Sequence, residues 1–434
     1  MQVVHALFGA PATRHFDVRY WDGTLEHGGE HDQHNPPPFT LVINRPGALR
    51  RMLLPPSELS IVEAYLSDDV DVEGTLESAV TLADAINERI KSPRTLATIT
   101  RHLLALPAHD TEAEHDVRSA RASSIVQHTG HQHDPSRDQA AIRYHYDVGN
   151  EFYALWLDTR MVYSCAYFHS ETMSLDDAQL AKLDLVCRKL RLQPGDRLLD
   201  VGCGWGGLIM HAVAQYGVTA LGLTLSDAQA TLARERIRAA RLDTRCRVEI
   251  LDYRGLPDDA EFDKIASVGM VEHVGVPNLP MYFQTLHRAL APGGLLLNHG
   301  IVNEGTARPH GVKTWIEGKL WQRDAFIDQY VFPDGKLGPL AAVIEAAEAT
   351  GFETRDVQSL REHYALTLRH WVARLTARKA EAIAMANERI YRTWTLYMTA
   401  SAHGFASGRL NVVQTLLAKP DASGKVALPL VRDT

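Results

Sequence analysis

The chain has 434 residues, a length that predicts two or three domains with a substantial core. Hydrophobic residues make up 45% and charged residues 23%, as in ordinary globular proteins, and no apolar run approaches the roughly 18 residues of a membrane-spanning helix. The formal net charge is −8, which excludes a surface that is basic overall, so we expect no nucleic-acid partner.

Two features of the sequence bear on the compartment of the protein. Its four cysteines show neither CxxC pairing nor zinc-type spacing, so disulfides and structural metal are not expected. The first residues lack the charged region, the apolar core and the cleavage site of a secretory signal. We therefore expect a cytoplasmic protein.

Residues 1–106 are predicted to form a small α+β domain. Phe39–Ile43 has the composition of a short strand, and Leu76–Ile90 carries its apolar residues on one helical face. Residues 107–138 are polar and rich in histidine, which predicts a solvated linker. The alternative, a metal site, is less favoured because the histidine spacings match no ligand pattern.

Residues 139–434 alternate strands with helices, which predicts a parallel sheet covered by helices. Strands are predicted at Arg197–Val201, Val218–Thr224, Arg247–Leu251, Phe262–Val268 and Gly294–Asn298. Ser174 is the expected N-cap of the helix that leads into the first of them. The segment after about residue 360 is predicted to be helical and rich in aromatic residues, a candidate cap over the mouth of the sheet.

A glycine-rich loop follows the first of these strands. Asp200 ends the apolar run, and Gly202, Gly204 and Gly206 come next. Without side chains, a backbone approaches a ligand closely, and the following helix presents free N–H groups, so a nucleotide-like cofactor is expected. A dinucleotide site would show G-x-G-x-x-G and an acidic residue after the second strand. Here the spacing is G-x-G-x-G and the second strand ends in Thr224-Leu-Ser, which favours S-adenosylmethionine (SAM) over NAD.

Six segments, in this order, resemble the cyclopropane-fatty-acyl-phospholipid synthases. They are YHYDVGNEF at 144–152, YSCAYF at 163–168, DVGCGWGG at 200–207, GLTLS at 222–226, DYR at 252–254 and GMVEHVG at 269–275. The resemblance covers about residues 139–420, and residues 1–106 resemble the N-terminal domain of the longer, phospholipid-acting members. It implies a class I methyltransferase fold, an α/β protein with a Rossmann-like doubly wound sheet, a helical cap and a small N-terminal α+β domain.

The resemblance also implies the cofactor contacts. Tyr163 and Ser164 would meet the methionine portion of SAM, and the loop from Gly202 to Gly206 would pass beneath it. The ribose would lie against Thr224, Leu225 and Gln229, and the adenine beside Tyr253 and Arg254. For Tyr253 and Arg254 the alternative is a solvated loop. The full set is Tyr163, Ser164, Asp200, Gly202, Gly204, Gly206, Thr224, Leu225, Gln229, Tyr253 and Arg254.

Members of the resembled family methylate an alkene in an acyl chain, and that reaction sets its own requirements. The transfer creates a carbocation, so water must be excluded, and the aromatic faces of Tyr167, Phe168 and Tyr364 are available to stabilise the charge. A base must then remove a proton from the added methyl group so that a cyclopropane ring closes.

Glu272 and His299 each lie just past a predicted strand, where open α/β sheets place their sites. Taken singly, a helix-start carboxylate and a core imidazole would be the simpler interpretations. In the resembled family a bicarbonate ion is the base, and the matching positions here are Cys165, Glu272, His299, the backbone of Ile301 and Tyr364. Some members carry a cysteine proposed as catalytic where this chain has Ser401, so that role is not transferred.

We therefore predict a peripheral methyltransferase that cyclopropanates unsaturated phospholipid acyl chains. A transient membrane contact is implied, with Arg50–Leu54 and Arg94–Leu106 as docking candidates, although a buried helix with a solvated rim explains these segments equally well. The resemblance also implies a dimer. Three alternatives stay open: a hydride shift that yields a branched methylene chain, a small-molecule N-methyltransferase, and a non-catalytic lipid-binding protein.

Overall fold

The structure, a computed structural model, describes residues 1–29, 36–82, 93–108, 148–303, 326, 330, 337–426 and 428–431. Residue contacts divide the chain into two compact units. The first consists of Met1–Gln127, Arg308–Val331 and Asn387–His403, and the second of His128–Ala307, Phe332–Ala386 and Gly404–Thr434. The histidines predicted to lie in a linker fall outside the described residues.

The first unit contains a four-stranded sheet in the order β2-β1-β3-β4. Its strands are β1 (Asp17–Arg19), β2 (Leu25–Glu26), β3 (Phe39–Ile43) and β4 (Val70–Gly74), and its helices α1 (Gln2–Phe8), α2 (Ala48–Leu53), α3 (Glu58–Leu66) and α4 (Pro93–Leu104). The strand Phe39–Ile43 has the predicted bounds, and its buried side chains join the core of this unit. Residues 76–82 are helical as predicted, and the rest of that helix lies outside the described residues.

The second unit is built on a seven-stranded sheet in the order β10-β11-β9-β8-β5-β6-β7. Its strands are β5 (Arg197–Val201), β6 (Thr219–Thr224), β7 (Cys246–Ile250), β8 (Phe262–Val268), β9 (Leu290–Asn303), β10 (Glu353–Ser359) and β11 (Leu410–Ala418). The five strands β5 to β9 are parallel and confirm the predicted doubly wound sheet. The antiparallel strands β10 and β11 were not predicted.

Helices cover both faces of this sheet and enclose two apolar clusters. In chain order, the helices after α4 are α5 (Asn150–Ala154), α6 (Leu175–Lys189), α7 (Gly207–Tyr216), α8 (Asp227–Ala239), α9 (Val271–Val274), α10 (Leu279–Ala289), α11 (Leu340–Ala349), α12 (Arg361–Ala377), α13 (Lys379–Met385) and α14 (Glu388–Ala406). Ser174 caps α6 as predicted, because its hydroxyl accepts from the Asp177 N–H at 3.1 Å. No helix in the described part of the chain is long and apolar enough to span a membrane.

Most of α14 belongs to the first unit, although the sequence grouped this aromatic segment with the second domain. Buried Arg392 donates to Asp68 and Asp71, and Arg389 pairs with Glu63. These carboxylates lie more than 300 residues earlier in the chain, so a local aromatic pattern gives no sign of the pairing. Buried Ser401, which replaces the cysteine of some resembled proteins, lies in this part of the helix.

Candidate active site

One cavity lies at the carboxyl ends of β5, β6 and β8, and it collects the residues expected at the cofactor. Lining the cavity are Tyr163, Ser164, Asp200, Gly202, Gly204, Thr224, Leu225, Gln229, Tyr253 and Arg254. Gly206 is the remaining member of the expected set; it does not line the cavity but caps α7 in the left-handed conformation, with φ 80°. Nearly all of the expected cofactor residues therefore surround one space.

The glycine loop is folded back over the end of the sheet. The N–H groups of Gly202 and Cys203 both donate to the Leu223 carbonyl, at 3.0 and 2.8 Å. Gly202 has φ 84°, and a Cβ at this position would lie 2.6 Å from the Met270 side chain. Only glycine fits here, since any side chain would be strained and would collide with Met270.

Two further loops complete the cavity. After β6, the Ser226 hydroxyl caps α8, and the Thr224 hydroxyl donates to the Gln229 side-chain oxygen at 2.7 Å. After β7, Asp252 accepts from the Arg254 guanidinium at 2.8 Å and holds it 5.6 Å from the centre of the Tyr253 ring. Tyr253 is buried, so the alternative of a fully solvated loop does not describe it.

The segment that carries Tyr163, Ser164 and Cys165 is fixed by α12. The Ala166 N–H donates to the Thr367 hydroxyl, and the Phe168 N–H donates to His363 Nδ1, both at 3.0 Å. Burial lowers the pKa of His363, which keeps Nδ1 available as an acceptor. Sequence reasoning missed His363 and Thr367, because a contact between an irregular segment and a helix 200 residues later leaves no local pattern.

Glu272, on α9, is held by the strand beside it. Its Oε1 accepts from the Ile301 N–H at 2.8 Å. Its Oε2 is buried and has no hydrogen-bond partner among the described residues. Burial raises the pKa of Glu272 to about 7, so this carboxyl group is poised between its two forms near neutral pH.

His299, on β9, is 2% exposed and contacts Gln414 on the neighbouring strand β11. Its Nδ1 lies 3.1 Å from the Gln414 amide nitrogen. In this orientation of the Gln414 amide the nitrogen donates to Nδ1, which assigns the proton of the neutral ring to Nε2. Burial, with smaller contributions from Lys182 and Lys189, lowers the pKa of His299 to about 3. Nε2 is thus a buried donor, and it has no partner in the part of the chain that the structure describes.

A short chain of hydrogen bonds links the remaining members of the expected base-binding set. Ile301 is the cross-strand partner of Val412, whose carbonyl accepts from the Leu360 N–H at 2.8 Å. The Leu360 carbonyl in turn accepts from the Tyr364 N–H at 3.0 Å and lies 3.7 Å from Cys165 Sγ. Burial raises the pKa of the Cys165 thiol, so it is a neutral donor. These backbone contacts connect Ile301, Cys165 and Tyr364 through β11, a strand that sequence reasoning missed.

None of the expected base-binding residues lines the cofactor cavity, but Glu272 and His299 adjoin residues of its wall. His299 is the cross-strand partner of Val268, and its carbonyl accepts from the Gly269 N–H at 2.8 Å. Val268, Gly269, Met270 and His273 all line the cavity, on either side of Glu272 in the chain. The two orphaned atoms therefore belong to side chains directly behind the cavity wall.

Gly300, between His299 and Ile301, is packed tightly against α9. A Cβ on Gly300 would lie 2.1 Å from Val271 Cγ1 and 3.4 Å from Glu272 Oε2. We expect Gly300→Ala to lower the free energy of unfolding by about 1–3 kcal/mol through overpacking, measured by urea denaturation. The double variant Val271→Ala/Gly300→Ala should recover part of this loss, and a Gly300→Ala protein as stable as the wild type would contradict the packing.

A doubly wound sheet, with a glycine loop and a cavity lined by the expected cofactor residues at its carboxyl edge, defines the protein as a class I SAM-dependent methyltransferase. Residues 133–415 match the family described as mycolic acid cyclopropane synthetase. The chain belongs to this family. Residues 3–91 match a second family, described as a domain of unknown function.

Individual relatives agree with this assignment. The chain is 39% identical over 418 residues to a probable fatty acid methyltransferase of Pseudomonas putida, covering 96% of this chain and 95% of the relative. It is 38% identical over 275 residues to cyclopropane mycolic acid synthase 1 of Mycobacterium tuberculosis, covering 63% of this chain and 95% of the relative. A solved mycolic acid cyclopropane synthase in complex with SAH and CTAB superposes with a TM-score of 0.60 at 37% identity, over 65% of this chain and 98% of that one.

Proposed function

We propose that this chain transfers a methylene group from SAM to the cis double bond of an unsaturated phospholipid acyl chain and closes a cyclopropane ring. The proposal rests on two buried atoms of opposite hydrogen-bonding character, on side chains that adjoin residues of the cofactor-cavity wall. Glu272 Oε2 accepts and the Nε2–H of His299 donates, and neither has a partner among the described residues. A buried, unsatisfied pair of this kind is costly unless a ligand completes it.

Bicarbonate is the ligand that we propose for this pair. Its hydroxyl group is a donor suited to Glu272 Oε2, and its charged oxygens are acceptors suited to the His299 N–H. When bound, it would supply the base that takes a proton from the transferred methyl group. The Ile301 N–H donates to the Glu272 carboxylate, and the Cys165 thiol donates to the Ala166 carbonyl at 3.2 Å. In this proposal Ile301 and Cys165 form part of the wall of the bicarbonate site.

The aromatic residues Tyr167, Phe168 and Tyr364 support a carbocation mechanism. Phe168 and Tyr364 are buried, and the Tyr364 ring lies 4.7 Å from that of Phe405. Tyr167 stacks on His363 at 4.8 Å. Aromatic faces exclude water and stabilise positive charge through their quadrupoles, which is what a cation on an alkyl chain needs.

Gln414 is the residue that we expect to set the tautomer of His299. Replacing the Gln414 side chain tests whether turnover depends on that tautomer. We expect Gln414→Leu to lower turnover by about 10- to 100-fold, because Nδ1 loses its donor and Nε2–H is no longer specified. Gln414→Glu should also impair turnover, since a carboxylate favours a proton on Nδ1. Affinity for S-adenosylhomocysteine (SAH), measured by calorimetry, should stay unchanged in both variants.

The matched control is Gln358→Leu, because Gln358 is the partner of Gln414 on the neighbouring strand β10 and does not contact His299. We expect normal turnover in this variant. Equal turnover in Gln414→Leu and Gln358→Leu would show that His299 does not depend on this contact.

A second candidate product is a mid-chain methyl or methylene branch. The relative that covers 96% of this chain is named a probable fatty acid methyltransferase, whereas the named cyclopropane synthase covers 63%. The two products share one cation, and they differ in whether a hydride shift precedes proton loss. The position of the base relative to the cation decides between them.

The substrate would be reached by peripheral contact with a membrane, for which we retain the two docking segments of the first unit. The Arg50 guanidinium donates to the Leu106 carbonyl at 2.7 Å and joins the segments. Leu96 and Leu104 of α4 are 40% and 56% exposed. Exposed leucines next to arginines match the chemistry of a lipid interface. A homodimer remains part of the proposal.

The test is to incubate the protein with SAM and vesicles of a cis-monounsaturated phospholipid and to follow lipid mass and proton NMR. A gain of one CH2 with upfield ring protons is the expected result. The same gain with olefinic methylene protons would select the second candidate. No gain on any vesicle, with SAH still binding, would overturn the acyl-chain proposal.

A further inference from the structure

Lys182, on α6, is a buried cation that neither the motifs nor the comparisons single out. It is 2% exposed and lines the cofactor cavity. Its Nζ donates to the Ser164 hydroxyl at 3.0 Å. Within the described ranges no carboxylate lies at ion-pair distance from Nζ; Asp158, which influences it electrostatically, instead accepts from the N–H groups of Val162 and Arg160. An ammonium group carries three protons, so the hydrogen bond to Ser164 leaves two of them for a ligand in the cavity.

Asp200 presents the opposite charge in the same cavity. It is also 2% exposed, and its Oδ1 is buried with no hydrogen-bond partner among the described residues. Burial raises the pKa of Asp200 to about 7, and burial lowers the pKa of Lys182 to about 8. Lys182 and Asp200 each shift the pKa of the other, but they do not form an ion pair at contact distance. Each is therefore expensive to bury in the absence of a ligand.

A zwitterionic ligand would pair with both Lys182 and Asp200 at once. The methionine portion of SAM ends in an α-ammonium and an α-carboxylate on the same carbon atom, so a cation and an anion on one cavity wall match it. We infer that Lys182 binds the α-carboxylate of the cofactor, together with the Ser164 hydroxyl, while Asp200 faces the α-ammonium. Lys182 is thus a further cofactor-binding residue of this methyltransferase.

The arrangement also links the cofactor to the site behind the cavity wall. The charge of Lys182 contributes to the lowered pKa of His299, and it opposes the burial effect on the pKa of Cys165. A carboxylate bound to Lys182 would offset this charge as the cofactor enters. The inference rests on the use of SAM and needs no lipid substrate, so a failed lipid assay leaves it testable.

The test compares three ligands by calorimetry: SAH, decarboxylated SAH and 5′-methylthioadenosine, which lacks the amino-acid part. We expect Lys182→Met to weaken SAH binding by about 10- to 100-fold and to leave the affinities for the other two ligands within about twofold of wild type. In the wild type, affinity for SAH should fall above pH 8, where Lys182 loses its proton, and affinity for decarboxylated SAH should not.

Lys189→Met is the matched control, since Lys189 is a buried lysine on the same helix that pairs with Asp356 at 3.3 Å. It should bind all three ligands as the wild type does, and thermal unfolding of both variants checks that they are folded. Equal losses for all three ligands in Lys182→Met would assign the residue a structural role through Ser164 and overturn the inference. Unchanged SAH binding would overturn it as well.

Discussion

Replacing Glu272 by Gln is expected to lower turnover by about 10²- to 10⁴-fold, the range for loss of a positioned proton-transfer system, while SAH affinity stays unchanged. The amide oxygen can still accept from the Ile301 N–H, so the local fold is retained. The other end of the side chain becomes an NH2 donor in place of Oε2. It would then face a second donor, the hydroxyl group of the proposed bicarbonate, and the ion could not be held. Product formation on phospholipid vesicles and calorimetry with SAH measure the two effects separately.

The companion variant His299→Ala should also lose turnover and keep its affinity for SAH, because it removes the imidazole donor that we assign to the anion. Glu348→Gln, an exposed carboxylate on α11, serves as the control for an amide substitution and should retain full turnover. Full activity in either Glu272→Gln or His299→Ala would remove the anion-base assignment. It would leave the methyltransferase fold and the cofactor cavity as described.

Replacing Asp200 by Asn is expected to weaken SAH binding by about 10- to 100-fold and to change the protons exchanged on binding. At pH 7 the free protein holds about half a proton on Asp200, because burial raises its pKa to about 7. The cofactor ammonium stabilises the carboxylate and lowers that pKa, so binding releases protons. Near pH 8.5 the sign reverses, since a bound carboxylate raises the pKa of Lys182 from about 8 and protons are taken up.

Calorimetry in buffers of different ionisation enthalpy counts these protons. The wild type should release protons at pH 7 and take them up near pH 8.5. Asp200→Asn should lose the release, and Lys182→Met should lose the uptake. If Asp200→Asn released as many protons at pH 7 as the wild type, the cofactor ammonium would not be facing Asp200.

The parallel sheet could be predicted from sequence because its strand segments are rich in apolar residues and alternate with helical patterns along the chain. Arg197–Val201 and Phe262–Val268 have the predicted bounds, and Leu290–Asn303 contains the predicted strand. The strand Leu410–Ala418 escaped prediction because it follows directly on a long aromatic helix. Its seven buried residues include the polar Gln414 and Thr415, which interrupt the apolar pattern of a buried strand, and Gln414 contacts His299.

The cofactor cavity was also largely predictable, because its contacts come from loops with local motifs. The residues that position the proposed base-binding and cofactor-binding side chains could not be predicted. Gln414 contacts His299 across 115 residues, and Lys182 reaches Ser164 from one face of a helix whose sequence gives no sign that a lysine is buried there. Partners of this kind depend on which strands become neighbours, and a single sequence does not contain that information.

The proposed function requires a base that removes a proton from the methyl group after its transfer to an alkene. The most direct test uses SAM with a fully deuterated methyl group, vesicles of a cis-monounsaturated phospholipid and mass spectrometry of the product lipid. We predict a product that retains two of the three deuterons, with proton NMR showing a ring that has lost its olefinic signals. A product that retains all three deuterons, whether on carbon or on an amine, would contradict the proposed base.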